Sequence, residues 1–120
     1  DLAADGSLSK RRVFARVAET DGHPDGPVVD ATGCVWVGLF GGWGVNRYSP
    51  SVELLGKLSL PVANCTKAAF GGADLQTLYV TTAWKELSAD QRTQQPLAGG
   101  LFSVRVDTPG LPTNEFAHYR

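Results

Sequence analysis

The chain contains no methionine, only two cysteines, and no apolar run near the ~20 residues that a bilayer-spanning helix requires. Two cysteines, Cys34 and Cys65, are too few to define a disulfide framework, and Cys34 sits in an apolar run where a buried thiol is expected. Neither sign of charge dominates: 11 basic residues face 12 acidic ones, for a net charge of −1. The one basic run, Lys10-Arg11-Arg12, reads as the solvated side of an edge strand rather than a nucleic-acid patch. No serine–histidine–aspartate or cysteine–histidine spacing suggests a covalent nucleophile, and no glycine string fits a phosphate loop. Asn64-Cys65-Thr66 matches the glycosylation sequon, but no export signal is visible, so the match reads as accidental and the expected location is cytoplasmic. The first residue is Asp1 rather than methionine, as expected of a processed or truncated product.

What the chain has is the punctuation of an all-β protein. At 120 residues, 42% of them hydrophobic and 19% charged, it has one domain's length. Short β-branched and aromatic runs alternate with Gly, Pro, Asp and Asn clusters. They predict strands at about 9–17, 26–30, 34–39, 44–49, 53–60, 66–71, 77–83, 100–106 and 114–119. Asp30-Ala31-Thr32-Gly33 carries a type I turn signature, and Phe40-Gly41-Gly42-Trp43-Gly44 supplies the positive-φ positions of a reversal. Only residues 86–94 look helical, with Ser88 as a cap. The strands also repeat. Val35-Trp36-Val37-Gly38 answers to Leu78-Tyr79-Val80-Thr81, which sets Trp36 and Tyr79 43 residues apart. Four strands per period of about 45 residues is the pattern of a β-propeller blade. A β-sandwich also shows strands at short intervals, but the repeat favours the propeller.

The order of motifs is more specific than any one of them. Pro24-Asp25-Gly26, Asp30, Gly33, Trp36-Val37, Gly41-Gly42, Arg47-Tyr48 and Pro50 are followed by Leu60-Pro61, Phe70-Gly71-Gly72, Asp74, Leu78-Tyr79-Val80-Thr81 and Ala98-Gly99-Gly100-Leu101-Phe102. This resembles the C-terminal part of the senescence-marker-protein/gluconolactonase/luciferin-regenerating-enzyme family across essentially the whole chain. The resemblance implies a fragment of a six-bladed propeller. It would comprise a leading strand of a preceding blade at 9–17, one blade at about 26–60, and a second at about 66–119 with an inserted loop at 84–99. It also implies a metal-dependent hydrolase of sugar lactones. Calcium is the expected metal, with zinc or manganese as substitutes.

In that family the metal is held by a glutamate of the first blade, an asparagine from mid-chain and the aspartate of a PDG motif. Only the last has a counterpart here, Asp25, which is thereby implied as metal ligand and catalytic base. Asp25 is expected just before the inner strand, facing the axial channel; Asp30 is expected to be turn punctuation at the opposite rim. Thr66 holds the second repeat's equivalent of Asp25, and Lys67 replaces a small hydroxyl residue frequent in the family. These two, with Trp84 as part of a lid, are the candidate substrate-binding residues; Lys67 would suit an anionic substrate. His23 reads as a solvent-facing turn histidine, and Trp43 as packing against a neighbouring hairpin. Two blades cannot close a ring and would leave apolar faces open, so a partner is expected. It would be the missing N-terminal part or further copies of the chain, in addition to a small-molecule lactone. The alternative is a truncated propeller without catalysis, serving binding or assembly.

Overall fold

The computed structural model describes residues 1–114. Among these residues seven strands fall into two antiparallel sheets. The first holds β1 (His23–Val29), β2 (Val35–Phe40), β3 (Gly44–Tyr48) and β4 (Leu54–Ser59) in chain order. The second holds β5 (Cys65–Gly71), β6 (Thr77–Thr82) and β7 (Leu101–Arg105). Between β6 and β7 runs a long segment with one short helix, α1 (Ala89–Gln94), started by Ser88 in a complete capping box with Gln91. A short 3-10 turn (Glu19–Asp21) leads into β1. No helix among the described residues is long and apolar enough to cross a membrane.

The sheets pack face to face through alternating positions of their strands. Trp36, Val45, Cys65, Ala68, Leu78 and Val80 form the shared core, and Trp36 meets Phe70 edge to face at 6.1 Å. Each fully buried aliphatic side chain among them contributes about 1.5–3 kcal/mol of transfer free energy. Burial also pushes the Cys65 thiol up to about 11, against weaker lowering by the Gly44 amide and Lys57, so it stays an inert core group. Cys34 is likewise buried and free.

Two expectations change. Residues 9–17 are mostly exposed and belong to no strand. A strand exists only where a neighbour takes its hydrogen bonds, and no strand among the described residues pairs with that segment. The strand expected at 114–119 lies outside the described residues except for Asn114, which is not in a strand. The inner strand β1, in contrast, begins at His23 rather than 26, so the PDG motif lies inside it. Pro24 is tolerated there because β1 is the edge of its sheet, where a missing N–H breaks no ladder bond.

Candidate active-site rim

Asp25 pairs with Gly38, and two residues earlier His23 pairs with Phe40. Directly opposed residues share a face, and strand alternation puts both pairs on the same one. That face meets β5: a Cβ on Gly38 would lie 3.0 Å from the Thr66 carbonyl oxygen. Immediately after Asp25 the register of β1 shifts, and β5 shifts likewise between Cys65 and Lys67. The two bulges lie against each other. Gly26 is held at φ 41°, and a Cβ there would stand 2.5 Å from the Thr66 carbonyl, so only glycine fits. Sequence-distant Asp25, Thr66 and Lys67 are thus drawn to one junction of the two sheets. The Asp25 carboxylate is exposed and makes no hydrogen bond or ion pair with any described residue.

The neighbours of Asp25 are more committed. Thr66 Oγ1 donates to the Thr81 carbonyl at 3.0 Å and lies 2.8 Å from Thr81 Oγ1. Its proton is therefore used in holding the bulge, and toward a ligand the hydroxyl can only accept. Lys67 Nζ reaches across to the Pro27 carbonyl at 3.4 Å and remains exposed. Trp84 is 54% exposed on the segment after β6, with the Arg92 guanidinium 4.0 Å over its ring. It lies at the same end of the sheets as Asp25 but lines a separate hollow with Arg92 and Gly99.

This end is built from the turn 41–43, the connection 60–64 and the segment 83–100, and Asn64 ties the three together. Its Oδ1 accepts from the Gly41 amide at 3.0 Å, and its Nδ2 donates to the Lys85 carbonyl at 2.9 Å. Its carbonyl accepts from the Ala83 amide, and Gln95 Oε1 accepts from the Ala63 amide at 2.7 Å. Asn64 is only 3% exposed, so the sequon is closed to modification in the folded protein. Trp43, expected to pack on a hairpin, is 46% exposed and lines a cleft here together with His23.

The opposite end holds what the sequence concealed. Asp30 does start the type I turn, with the Gly33 amide donating back to its carbonyl. Its side chain, however, is fully buried and accepts six hydrogen bonds. Oδ1 takes the Thr32 amide, the Thr32 hydroxyl and the Cys34 amide; Oδ2 takes Trp36 Nε1 and both Nε and Nη2 of Arg47. Burial alone would raise its pKa; donation from Trp36, Thr32, Arg47 and Cys34 outweighs it and holds the carboxyl at about 2. The second sheet repeats the device in exposed form: Asp74 accepts from the Gln76 amide and binds Arg105 through both oxygens. The signal was present, since arginine and the indole of tryptophan sit in apolar strands and need a buried acceptor.

Among the described residues no three His, Cys, Asp or Glu side chains gather closely enough to hold a metal ion. Asp25 suits a hard divalent cation as one unpartnered carboxylate donor, but the described residues do not complete a ligand set around it.

The family described as the SMP-30/gluconolactonase/LRE-like region matches residues 1–84. The chain is 38% identical over 117 residues to a 6-deoxy-6-sulfogluconolactonase of Pseudomonas putida, which covers 97% of this chain and 40% of that protein. It is 36% identical over 117 residues to an L-arabinolactonase of Azospirillum brasilense, covering 98% of this chain and 38% of the other. A crystal structure of regucalcin, a calcium-binding protein of Agrobacterium tumefaciens, superposes with TM-score 0.81 at 31% identity, over 86% of this chain and 35% of that one. The chain thus spans about two fifths of the length of the curated relatives it matches.

Proposed function

The chain belongs to the SMP-30/gluconolactonase/LRE-like family, and from that premise we propose that it supplies one part of the active centre of a metal-dependent sugar lactonase. Its two sheets are consecutive blades of a β-propeller, and its relatives include sugar lactonases. The observation that carries the reading is Asp25: an exposed, unpartnered carboxylate on the inner strand, at the junction of the two blades. Asp30 and Asp74, in contrast, are consumed by structural bonds.

A divalent ion held by Asp25 and by donors outside this chain, calcium in the first place and zinc or manganese as substitutes, would polarise the lactone carbonyl. The chain's own contribution is positional and protonic. An Asp25 carboxylate oxygen takes a proton from the attacking water as its oxygen bonds to the carbonyl carbon. The ring C–O bond then breaks, and the same proton returns to the departing alkoxide, giving the hydroxy acid. Lys67, exposed beside Asp25, favours an anionic carboxylate or sulfonate arm on the substrate, and Thr66 offers an acceptor to a sugar hydroxyl. Trp84 borders the approach.

The test is pH-stat hydrolysis of glucono-1,5-lactone by the purified protein in its native assembly, with calcium and with a chelator. Wild type is expected to turn over in a chelator-sensitive way, and Asp25→Asn to lose on the order of 100-fold in rate with an unchanged melting temperature. An unchanged rate in Asp25→Asn removes the catalytic role of Asp25. Absent hydrolysis in wild type leaves a propeller portion that binds or assembles without catalysis, whereas hydrolysis that a chelator does not affect removes the metal from the mechanism.

A further inference from the structure

We propose that the cleft between the turn 41–43 and the segment 83–100 is a saccharide subsite, taking a second sugar ring joined to the lactone ring held at Asp25. The proposal deepens the lactonase reading and rests on it for the placement of the first ring. The cleft measures about 370 Å³, and His23, Phe40, Trp43, Glu86 and Gln91 supply its exposed or half-exposed lining. That volume falls in the range of small-molecule sites.

Position links the cleft to Asp25. The cross-strand pair His23/Phe40 lines it, and the next pair on the same face of β1 and β2 is Asp25/Gly38. One pleat repeat, about 7 Å, separates them. A ligand anchored at Asp25 and extended by one ring therefore runs into the cleft.

Two residues of its walls adopt an unusual backbone, as Lys10, Val52 and Leu75 do elsewhere. Trp43 sits at φ 59° and Glu86 at φ 66°, both in the left-handed region that a bulky residue rarely adopts. Gly41, Gly42 and Gly44 surround Trp43, so a glycine at 43 would complete the turn without strain. The backbone at Trp43 is held by its amide donating to the Ala63 carbonyl and its carbonyl accepting from the Leu60 amide, which presents the indole to the cleft.

The chemistry suits a sugar. A pyranose has an apolar C–H face and a rim of hydroxyls, which match an exposed indole and a polar wall. Gln91 uses Oε1 to accept from the Ser88 amide, which leaves Nε2 without a partner among the described residues. Glu86 is engaged only by its neighbour Lys85 at 3.6 Å, and His23 makes no hydrogen bond to a described residue. An amide donor, a carboxylate acceptor and an imidazole thus face the aromatic platform. The walls are already fixed by Asn64 and Gln95, so little ordering accompanies binding.

The test is calorimetric titration of the protein, with calcium present, using gluconate and the disaccharide aldonates maltobionate and cellobionate. At least one disaccharide aldonate is expected to bind about tenfold tighter than gluconate. Trp43→Gly is expected to erase that preference while leaving gluconate affinity and melting temperature unchanged. Trp43→Asn, which also tolerates the left-handed conformation, is the second variant should the glycine loosen the turn. Equal affinities in wild type, no binding of either disaccharide, or a preference that survives both substitutions overturns the subsite. A Trp43-dependent preference in a protein that hydrolyses no lactone would overturn the catalytic reading and leave the subsite standing.

Discussion

Asp25 and Asp30 stand five positions apart, yet the fold gives them opposite fates. Asp25 lies on an exposed edge strand with no bond to a described residue, whereas Asp30 is sealed beneath six donors. Removing the Asp30 charge leaves Arg47, the Trp36 indole and the Cys34 amide facing a poorer acceptor in a buried site. Asp30→Asn is expected to cost about 3–5 kcal/mol in urea unfolding, the range for breaking a buried pair. Asp74→Asn, whose partner Arg105 is exposed with it, should shift the same transition far less. The acid limb follows from the sign of the shift. Asp30 titrates at about 2 in the folded chain against an ordinary 3.8, so its contribution is fully present above the unfolded value. It is lost as pH falls from there through the folded value, and Asp30→Asn should flatten that part of the stability–pH curve. An unaltered acid limb in the variant would mean that other carboxylates control it.

At the scale of elements, strands with uninterrupted β-branched or aromatic runs are legible almost to the residue. β3 and β6 start where the pattern places them, and Ser88 caps α1 as expected. The N-terminus of β1 is misread because Pro24 and Gly26 are strand breakers by composition, and only the edge position of β1 makes them admissible. The segment 9–17 fails for the converse reason: its residues suit a strand, but pairing is a property of two segments. Within the candidate site, the PDG motif points to Asp25, the repeat to Thr66 and the family resemblance to Lys67, whereas nothing local reveals Asn64. Its two side-chain bonds reach Gly41 and Lys85, 23 and 21 residues away, and are visible only once the chain is folded. Asn64→Ala leaves the part-buried Gly41 amide and Lys85 carbonyl without their partner, two hydrogen bonds at about 0.5–1.5 kcal/mol each. Hydrogen exchange is expected to accelerate across 83–95 and at Gly41 while β2 and β3 stay protected. Uniform acceleration through the core would instead make Asn64 part of the global fold rather than the clasp of this rim.

At the scale of the whole molecule, the two blades bury one face of the second sheet and leave the other open. Tyr79 and Leu101 project from that outer face at 38% and 65% exposure, in the same rows as Lys67, Ala69, Thr81 and Ser103. The chain exposes 8380 Å², against about 6,300 Å² for a compact monomer of 12.8 kDa. Its radius of gyration of 15.9 Å likewise exceeds the about 13.6 Å of a compact chain of this length. A propeller blade is stable because neighbours cover both faces, so the open face calls for another blade, from the rest of a ring or from a further copy of this chain. The repeat in the sequence makes that architecture legible; which surface stays open is a matter of blade count and not of any local pattern. The chain on its own is therefore expected to associate, with a sedimentation-equilibrium mass above 12.8 kDa at micromolar concentration. Tyr79→Asp, which puts a charge in the middle of the open face, should return it toward that mass without unfolding it, since the Tyr79 side chain faces away from the shared core. A wild-type chain that sediments at 12.8 kDa at every concentration would show that this face needs no cover. Association that survives Tyr79→Asp would move the interface elsewhere, to the apolar side chains of β4, where Leu54 and Leu55 are also exposed.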